Sequence, residues 1–218
     1  MQDKQMVTGI VLKAVPIGEY DRRVVILTTS KGKVTAFARG ARRPNSAFVA
    51  GTNPFCFGDF FLYEGRNSYT LADVNIKNYF EELRLDYEGA YYGMYFLEIA
   101  DYYTRENNDE KDMLKLLYLS LRALNNEKLS KKLVRAVFEI KSVMVNGEFP
   151  GIRDNEKYQN ATKYAVNYIM NSSIEKLYTF NVSDEVLLQL CDIAKDTTRL
   201  TMDYPFKSLE ILDTLTGN

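Results

Sequence analysis

Residues 32–46 have the sequence GKVTAFARGARRPNS, in which a short strand pattern runs into a loop rich in arginine. Side chains alternate between the two faces of a strand. One face is small and apolar, as in the interior of a small barrel: Val34, Ala36 and Ala38. The other carries two bases, a hydroxyl and a ring: Lys33, Thr35, Phe37 and Arg39. Cations for phosphates and a ring for a base are what a single-stranded polynucleotide requires, so nucleic-acid binding is the first hypothesis.

This segment belongs to a set of five strand patterns joined by turns rich in Gly, Asn and Ser. The patterns cover residues 6–15, 22–29, 34–39, 55–64 and 69–75. Five strands in about 70 residues match an OB-type β-barrel, whose sheet face and loops commonly bind oligonucleotides. A small SH3-like barrel fits the pattern nearly as well.

Beyond Tyr79 the hydrophobic period becomes that of a helix. We expect helices over residues 82–105, 112–125, 130–146, 161–170, 183–200 and 206–215. Ser130 and Ser183 are predicted N-caps, and Gly147 is a predicted helix stop. The predicted fold class is therefore α+β with two domains, a five-stranded OB-type β-barrel over residues 1–80 and an α-helical bundle over residues 81–218.

Charge is divided unevenly along the chain, although the net charge is only −1. Residues 1–80 contain 11 Lys/Arg and 6 Asp/Glu, whereas residues 81–218 contain 17 Lys/Arg and 23 Asp/Glu. Such asymmetry is typical of a protein whose N-terminal part faces a polyanion.

The composition disfavours several kinds of chemistry. There is no histidine, the commonest general base and metal ligand. Cys56 and Cys191 are 135 positions apart, so we expect free thiols rather than a disulfide or a zinc site. A phosphate-binding loop ending in Gly32-Lys33 would need glycine at Leu27 and a hydroxyl at Val34. We therefore expect no enzyme, no metal and no cofactor.

The N-terminal residues are polar and lack the apolar core of a signal peptide. No apolar run approaches the roughly 18 residues that a membrane span needs. The sequence predicts a cytoplasmic protein without a membrane partner.

The predicted DNA-binding residues are Arg22, Arg23, Lys31, Lys33, Phe37, Arg39, Arg42 and Arg43. For Arg22 and Arg23, local ion pairs with Glu19 or Asp21 are an equally good interpretation. A second basic group comprises Lys131, Lys132 and Arg135, in the first turns of a predicted helix. Cations there oppose the helix dipole. This unfavourable placement is an argument for a binding role, such as receiving an acidic peptide beside apolar neighbours, and routine helix solvation is the alternative interpretation.

Six segments of the chain match one known family in the same order. They are residues 9–13, 18–25, 32–33, 38–46, 133–140 and 206–212. Together they resemble the RecO family of bacterial recombination and repair proteins. The resemblance implies an N-terminal OB-fold, a C-terminal helical domain and no catalytic centre. It further implies binding and annealing of single- and double-stranded DNA.

The resemblance also implies partners and a place of action. RecO proteins act with RecR, often with RecF, to load RecA onto DNA coated by single-strand-binding protein, which predicts a nucleoid-associated protein. The acidic C-terminal tail of the coating protein docks on the helical domain, where Arg135 and, less closely, Lys131 and Lys132 match the basic helix start. Many members carry a four-cysteine zinc module at the position of residues 148–160. This chain has no cysteine there, so the module is degenerate.

The leading hypothesis is thus a non-enzymatic DNA repair and recombination mediator. The alternative is a protein-interaction adaptor whose OB-like barrel makes no direct DNA contact. The third hypothesis is an enzyme working through carboxylates or a bound metal.

Overall fold

The structure, a computed structural model, describes residues 3–66, 68–153 and 155–216. The chain groups into two compact units. The first comprises Met1–Glu81 together with Leu97–Leu114, and the second comprises Glu82–Phe96 together with Lys115–Asn218. No helix in the described ranges is long and apolar enough to cross a bilayer.

The first unit contains a closed five-stranded barrel. Its strands are β1 (Lys4–Ile17), β2 (Asp21–Thr28), β3 (Gly32–Ala38), β4 (Phe57–Glu64) and β5 (Tyr69–Asn78). They pair in the order β1-β2-β3-β5-β4, antiparallel except for a short parallel contact between β3 and β5. All five predicted strands are present, and the OB-type barrel is confirmed. Strand β1 extends two residues beyond the predicted pattern of residues 6–15, and Pro16, near its end, pairs with Arg22.

Two glycines on the paired strands β1 and β4 allow neighbouring strands of the barrel to approach closely. Gly9 and Gly58 are paired across the two strands. A Cβ atom on Gly9 would lie 2.3 Å from the carbonyl oxygen of Leu27, and one on Gly58 would lie 2.3 Å from that of Asn75. Only glycine allows backbones to approach so closely. The two glycines therefore allow β1 to approach β2 closely and β4 to approach β5 closely.

Helix α1 (Phe48–Gly51) is a single turn between β3 and β4, in a segment predicted to be a loop. The later helices are α2 (Glu81–Leu85), α3 (Tyr87–Tyr103), α4 (Lys111–Leu124), α5 (Lys131–Val145), α6 (Asn160–Asn171), α7 (Asp184–Thr201) and α8 (Lys207–Thr216). They confirm the predicted helical region. The prediction of one helix over residues 82–105 is wrong. Asp86 interrupts it, because its carboxylate accepts a hydrogen bond from the backbone N–H of Gly89, 3.1 Å away, at the start of α3.

The predicted helix ends agree with the structure. Ser130 occupies the N-cap position of α5, although its side chain makes no capping hydrogen bond, and Gly147 has a φ of +75° just beyond the end of that helix. The Ser183 hydroxyl accepts a hydrogen bond from the N–H of Val186 and caps α7. Of the two predicted free thiols, Cys56 is buried and Cys191 is only partly buried.

Helix α5 is the centre of the second unit, with ten buried residues. Phe138 on α5 stacks on Phe96, with ring centroids 4.2 Å apart. Lys141, also on α5, is almost fully buried, and its ammonium donates to the backbone carbonyls of Ile169, Met170 and Ser172. The helical unit is thus stabilised by apolar packing and by hydrogen bonds that satisfy a buried cation.

Asp59 on β4 gives the barrel a specific dependence on pH. Its carboxylate accepts hydrogen bonds from the Lys77 ammonium and the Thr8 hydroxyl, each at 2.7 Å, and these two contacts lower its pKa. Because the pKa is lower in the folded state, the stabilisation is present above the ordinary pKa of about 3.9 and is lost as the pH falls through the folded value.

We expect Asp59→Asn to lower the free energy of unfolding by about 1 kcal/mol at neutral pH. The difference from wild type should shrink as the pH falls below about 4, where the wild-type carboxylate becomes protonated. Urea unfolding at a series of pH values measures this. Asp73→Asn is the control, since Asp73 is exposed and lies 3.8 Å from Lys4. A difference that stays constant down to acid pH would contradict the assignment.

Candidate nucleic-acid interface

Strand β3 places its side chains as the sequence predicts. Val34, Ala36 and Ala38 are completely buried in the barrel core. Lys33, Thr35 and Phe37 are only partly buried on the outer face. The alternation is fixed by antiparallel pairing with β2. The outer face of β3 therefore carries a cation, a hydroxyl and a ring.

Lys33, however, has an internal partner. Its ammonium lies 2.8 Å from the carboxylate of Asp101 and 2.5 Å from the carbonyl oxygen of the same residue, in the last turn of α3. A cation at a helix C-terminus is favoured by the helix dipole. Lys33 thus stabilises the packing of α3 within the first unit, and its predicted contact with DNA would have to compete with that ion pair.

Arg22 also serves the fold. Its Nη1 donates to the carbonyl oxygen of Val49 at 3.1 Å, to the Thr52 hydroxyl at 2.9 Å and to the side-chain oxygen of Asn53 at 3.0 Å. These contacts fasten the segment of α1 to β2. Among the described residues, Arg22 forms no ion pair with Glu19 or Asp21.

Arg23, the neighbour of Arg22, points the other way. It is exposed and lies directly opposite Phe37 in the register between β2 and β3. Side chains so paired are about 5 Å apart at Cβ. Arg39 follows on the same side of the chain and is exposed. Within the described part of the chain, neither arginine has a carboxylate partner.

Lys13 adds a cation that the sequence analysis missed. It is exposed and pairs with Val25 on β2, diagonally across from Arg23. Strict alternation would place Lys13 on the same face as Val11, which is completely buried in the core. A β-bulge between Val11 and Lys13 shifts the register and turns Lys13 outward. No local residue pattern predicts this bulge.

The arginine loop after β3 is folded against the turn between β1 and β2. The Arg42 guanidinium donates to the carbonyl oxygens of Gly18 and Glu19, at 3.3 and 3.2 Å. The Arg43 guanidinium lies over the Tyr20 ring, 5.0 Å from its centre. Both arginines are exposed. Because carbonyl groups and a ring are neutral partners, these contacts do not neutralise the positive charges. Lys31 differs, since its ammonium is 3.9 Å from Glu64 and lies over Tyr69.

The net positive charge of residues 1–80 is cancelled in the folded first unit, because that unit also includes an acidic segment. Leu97–Leu114, which belongs to the first unit, carries six acidic and two basic residues. The complete unit therefore contains 13 acidic and 13 basic residues. This acidic segment contacts β3 at Gly32 and Lys33. Arg39 is six residues beyond Lys33, which corresponds to about 20 Å along an extended strand. Arg23, Arg39, Arg42 and Arg43, which have no carboxylate ion pair among the described residues, lie toward that far end.

The second predicted basic group starts α5. The Lys131 ammonium is 2.9 Å from Asp86 and 3.8 Å from Glu88. Partial burial raises the pKa of Asp86, but hydrogen bonds from Lys131 and from the N–H of Gly89 lower it on balance. These carboxylates offset the unfavourable position of Lys131 at a helix N-terminus. Lys132 is exposed and has no ion pair within the described ranges.

Arg135, one turn further along α5, is largely buried. Its Nε donates to Glu139 at 2.9 Å, and its Nη1 donates to Asp213 at 3.3 Å. Its guanidinium also lies over the ring of Tyr95, 5.5 Å from the centre. The predicted peptide-binding arginine therefore already has carboxylate partners from this chain.

The connection over residues 148–160 is described except for residue 154, which lies outside the described ranges. Its end is fastened to α7 by polar contacts. The Tyr158 hydroxyl donates to Asp192 at 2.8 Å, and the Gln159 N–H donates to Gln189 at 3.2 Å. In the described ranges, no three His, Cys, Asp or Glu side chains converge as a metal site requires. Hydrogen bonds anchor the end of this connection.

Two family models and several relatives match this chain. A model described as "Recombination protein O N terminal" matches residues 1–80, and one described as "Recombination protein O C terminal" matches residues 84–154. A DNA repair protein RecO from Acetivibrio thermocellus is 29% identical over 95% of this chain and 96% of its own length. The protein of that name from Clostridium perfringens strain 13 is 26% identical over 94% and 95%. That from Alkaliphilus metalliredigens is 35% identical over 65% and 58%.

The different surroundings of Arg22 and Arg23 predict that mutation of Arg22 lowers stability much more than mutation of Arg23. Arg22→Ala should lower the free energy of unfolding by about 2–3 kcal/mol, because three hydrogen bonds from a charged group are lost. Arg23→Ala should change it by no more than about 0.5 kcal/mol, as is usual for an exposed side chain. Urea unfolding of the two variants measures both values. Equal losses of stability would contradict the assigned roles.

Proposed function

The chain belongs to the RecO family of DNA repair proteins, and from this membership we propose that it binds single- and double-stranded DNA without catalysing a reaction. We further propose that it anneals complementary strands and assists the loading of RecA together with RecR. RecF is a further candidate partner. Such a protein would act in the cytoplasm, in association with the nucleoid.

One observation carries this proposal: Arg23 lies opposite Phe37 on the outer face of the barrel, with other cations around them. Those cations are Lys13, Arg39, Arg42 and Arg43. A ring can stack on a base of any sequence, while neighbouring cations neutralise the phosphates on either side. This combination suits a single strand held without sequence specificity.

Annealing follows from the same arrangement. Two complementary strands repel each other through their phosphates, and exposed arginines and lysines reduce that repulsion. Contacts made mainly to the backbone leave most bases free to find their partners. The proposed activity thus needs a cationic surface and no reacting group.

We propose that the acidic C-terminal tail of single-strand-binding protein docks on the helical unit near the start of α5. Lys132 supports this proposal, because it is exposed and has no internal carboxylate partner in the described ranges. Lys131 and Arg135 would have to exchange internal carboxylates for those of the tail.

The test is a titration of a fluorescently labelled single-stranded oligonucleotide at several salt concentrations. Each phosphate contact contributes about 0.7 to the slope of log affinity against log salt for single strands. Arg23→Ala combined with Arg39→Ala should therefore weaken binding and reduce the slope by about 1.4. Phe37→Ala should weaken binding by about 1–3 kcal/mol through lost stacking, with the slope unchanged.

Lys4→Ala is the matched control, because Lys4 is a barrel cation with an internal partner, Asp73, and it contacts the ring of Phe61. Its slope should equal that of wild type. If wild type itself fails to bind DNA, the barrel is a protein-interaction adaptor and the proposal is wrong. If wild type binds and the double variant keeps the full slope, DNA binds elsewhere on the protein.

A further inference from the structure

Arg135 lies in a charged cluster inside the helical unit. Its Nε donates to Glu139 at 2.9 Å, and the Tyr95 hydroxyl donates to the same carboxylate oxygen at 2.7 Å. Glu139 is only 2% exposed. A buried carboxylate needs both a cation and hydrogen-bond donors, so Glu139 depends on Arg135 and Tyr95.

Asp213 on α8 is a second carboxylate on the same guanidinium. It lies 3.3 Å from Nη1, and its side chain is 41% exposed. One positive charge therefore faces two negative charges, of which Glu139 is buried and Asp213 faces water. A carboxylate that faces water loses less on leaving its cation than a buried carboxylate does, because water can solvate it. Asp213 is the carboxylate that another acid could replace.

Helix α8 does not depend on this ion pair for its position. Leu212 is completely buried, and Phe206, just before the helix, packs edge-on against Tyr95 with ring centroids 5.4 Å apart. These apolar contacts hold the helix against the rest of the unit. The Asp213 side chain can therefore swing away from Arg135 while α8 stays in place.

We propose that Asp213 is an internal competitor that occupies Arg135 and weakens the docking of an acidic partner segment. The inference rests on the proposed docking of an acidic tail at α5. The Asp213 carboxylate has the same chemistry as the side chains of such a tail, and both would contact the Arg135 guanidinium. The affinity for the tail then depends on how much more favourable the contact of Arg135 with a tail carboxylate is than its contact with Asp213.

The test compares the binding of a fluorescein-labelled peptide, the ten C-terminal residues of single-strand-binding protein from the same organism, to variants of the full chain. Asp213→Asn keeps the shape of the side chain and removes its charge. It should tighten binding about two- to fivefold, the range expected for the loss of one exposed competing ion pair. Asp196→Asn is the matched control, because Asp196 is an exposed carboxylate paired with Arg199 on α7. It should bind the peptide as wild type does.

A second background shows whether the gain acts through Arg135. Replacing Arg135 alone would leave Glu139 buried without a cation, so Arg135→Gln is combined with Glu139→Gln, and thermal unfolding confirms that the protein folds. In this background Asp213→Asn should no longer tighten binding. Equal affinities of Asp213→Asn and Asp196→Asn would overturn the inference, as would a gain that persists without Arg135. Absence of peptide binding to every variant would overturn both the inference and the proposed docking, while the DNA titration tests the barrel separately.

Discussion

The pairing of β3 with β2 is the constraint on which the proposed DNA-binding surface depends. A shift of one residue in this register would move Val34, Ala36 and Ala38 out of the core and turn Phe37 inward. The three small side chains fill the barrel only in the observed register. Core packing thereby decides that Phe37 faces outward, opposite Arg23. Hydrophobic burial, rather than any attraction to DNA, positions the surface that we propose for binding.

The fold and the proposed interface draw on the same basic residues. Arg22 and Lys33 are held by internal oxygen atoms, and the acidic segment that carries Asp101 cancels the positive balance of the first unit. The cations that we propose for binding a polyanion are therefore a local group of exposed residues on the barrel. The helical unit repeats this theme, because Arg135 is held by Glu139 and Asp213. Net charge is therefore a poor guide to these surfaces, and the partner of each individual cation is a better one.

Local signals predicted most of the fold. Alternation predicted the strands, and Ser183 and Gly147 marked helix ends correctly because a cap depends on a few adjacent residues. Ser130 marked the position where α5 begins, but without a side-chain capping bond. The site was harder to predict. Asp101 lies 68 positions from Lys33, and the bulge that turns Lys13 outward depends on how β1 pairs with its neighbours. Such contacts exist only after folding, so the sequence alone does not reveal which basic residues lack a carboxylate partner.

Photochemical cross-linking tests the central claim most directly. An oligonucleotide containing iododeoxyuridine reacts on irradiation with an aromatic ring stacked on the modified base. Trypsin cuts after Lys33 and Arg39, so the ring of Phe37 lies alone in the peptide of residues 34–39. The account predicts that mass spectrometry finds DNA attached to this peptide and that Phe37→Leu abolishes the attachment. Cross-links confined to peptides of the helical unit, with residues 34–39 unmodified, would contradict it.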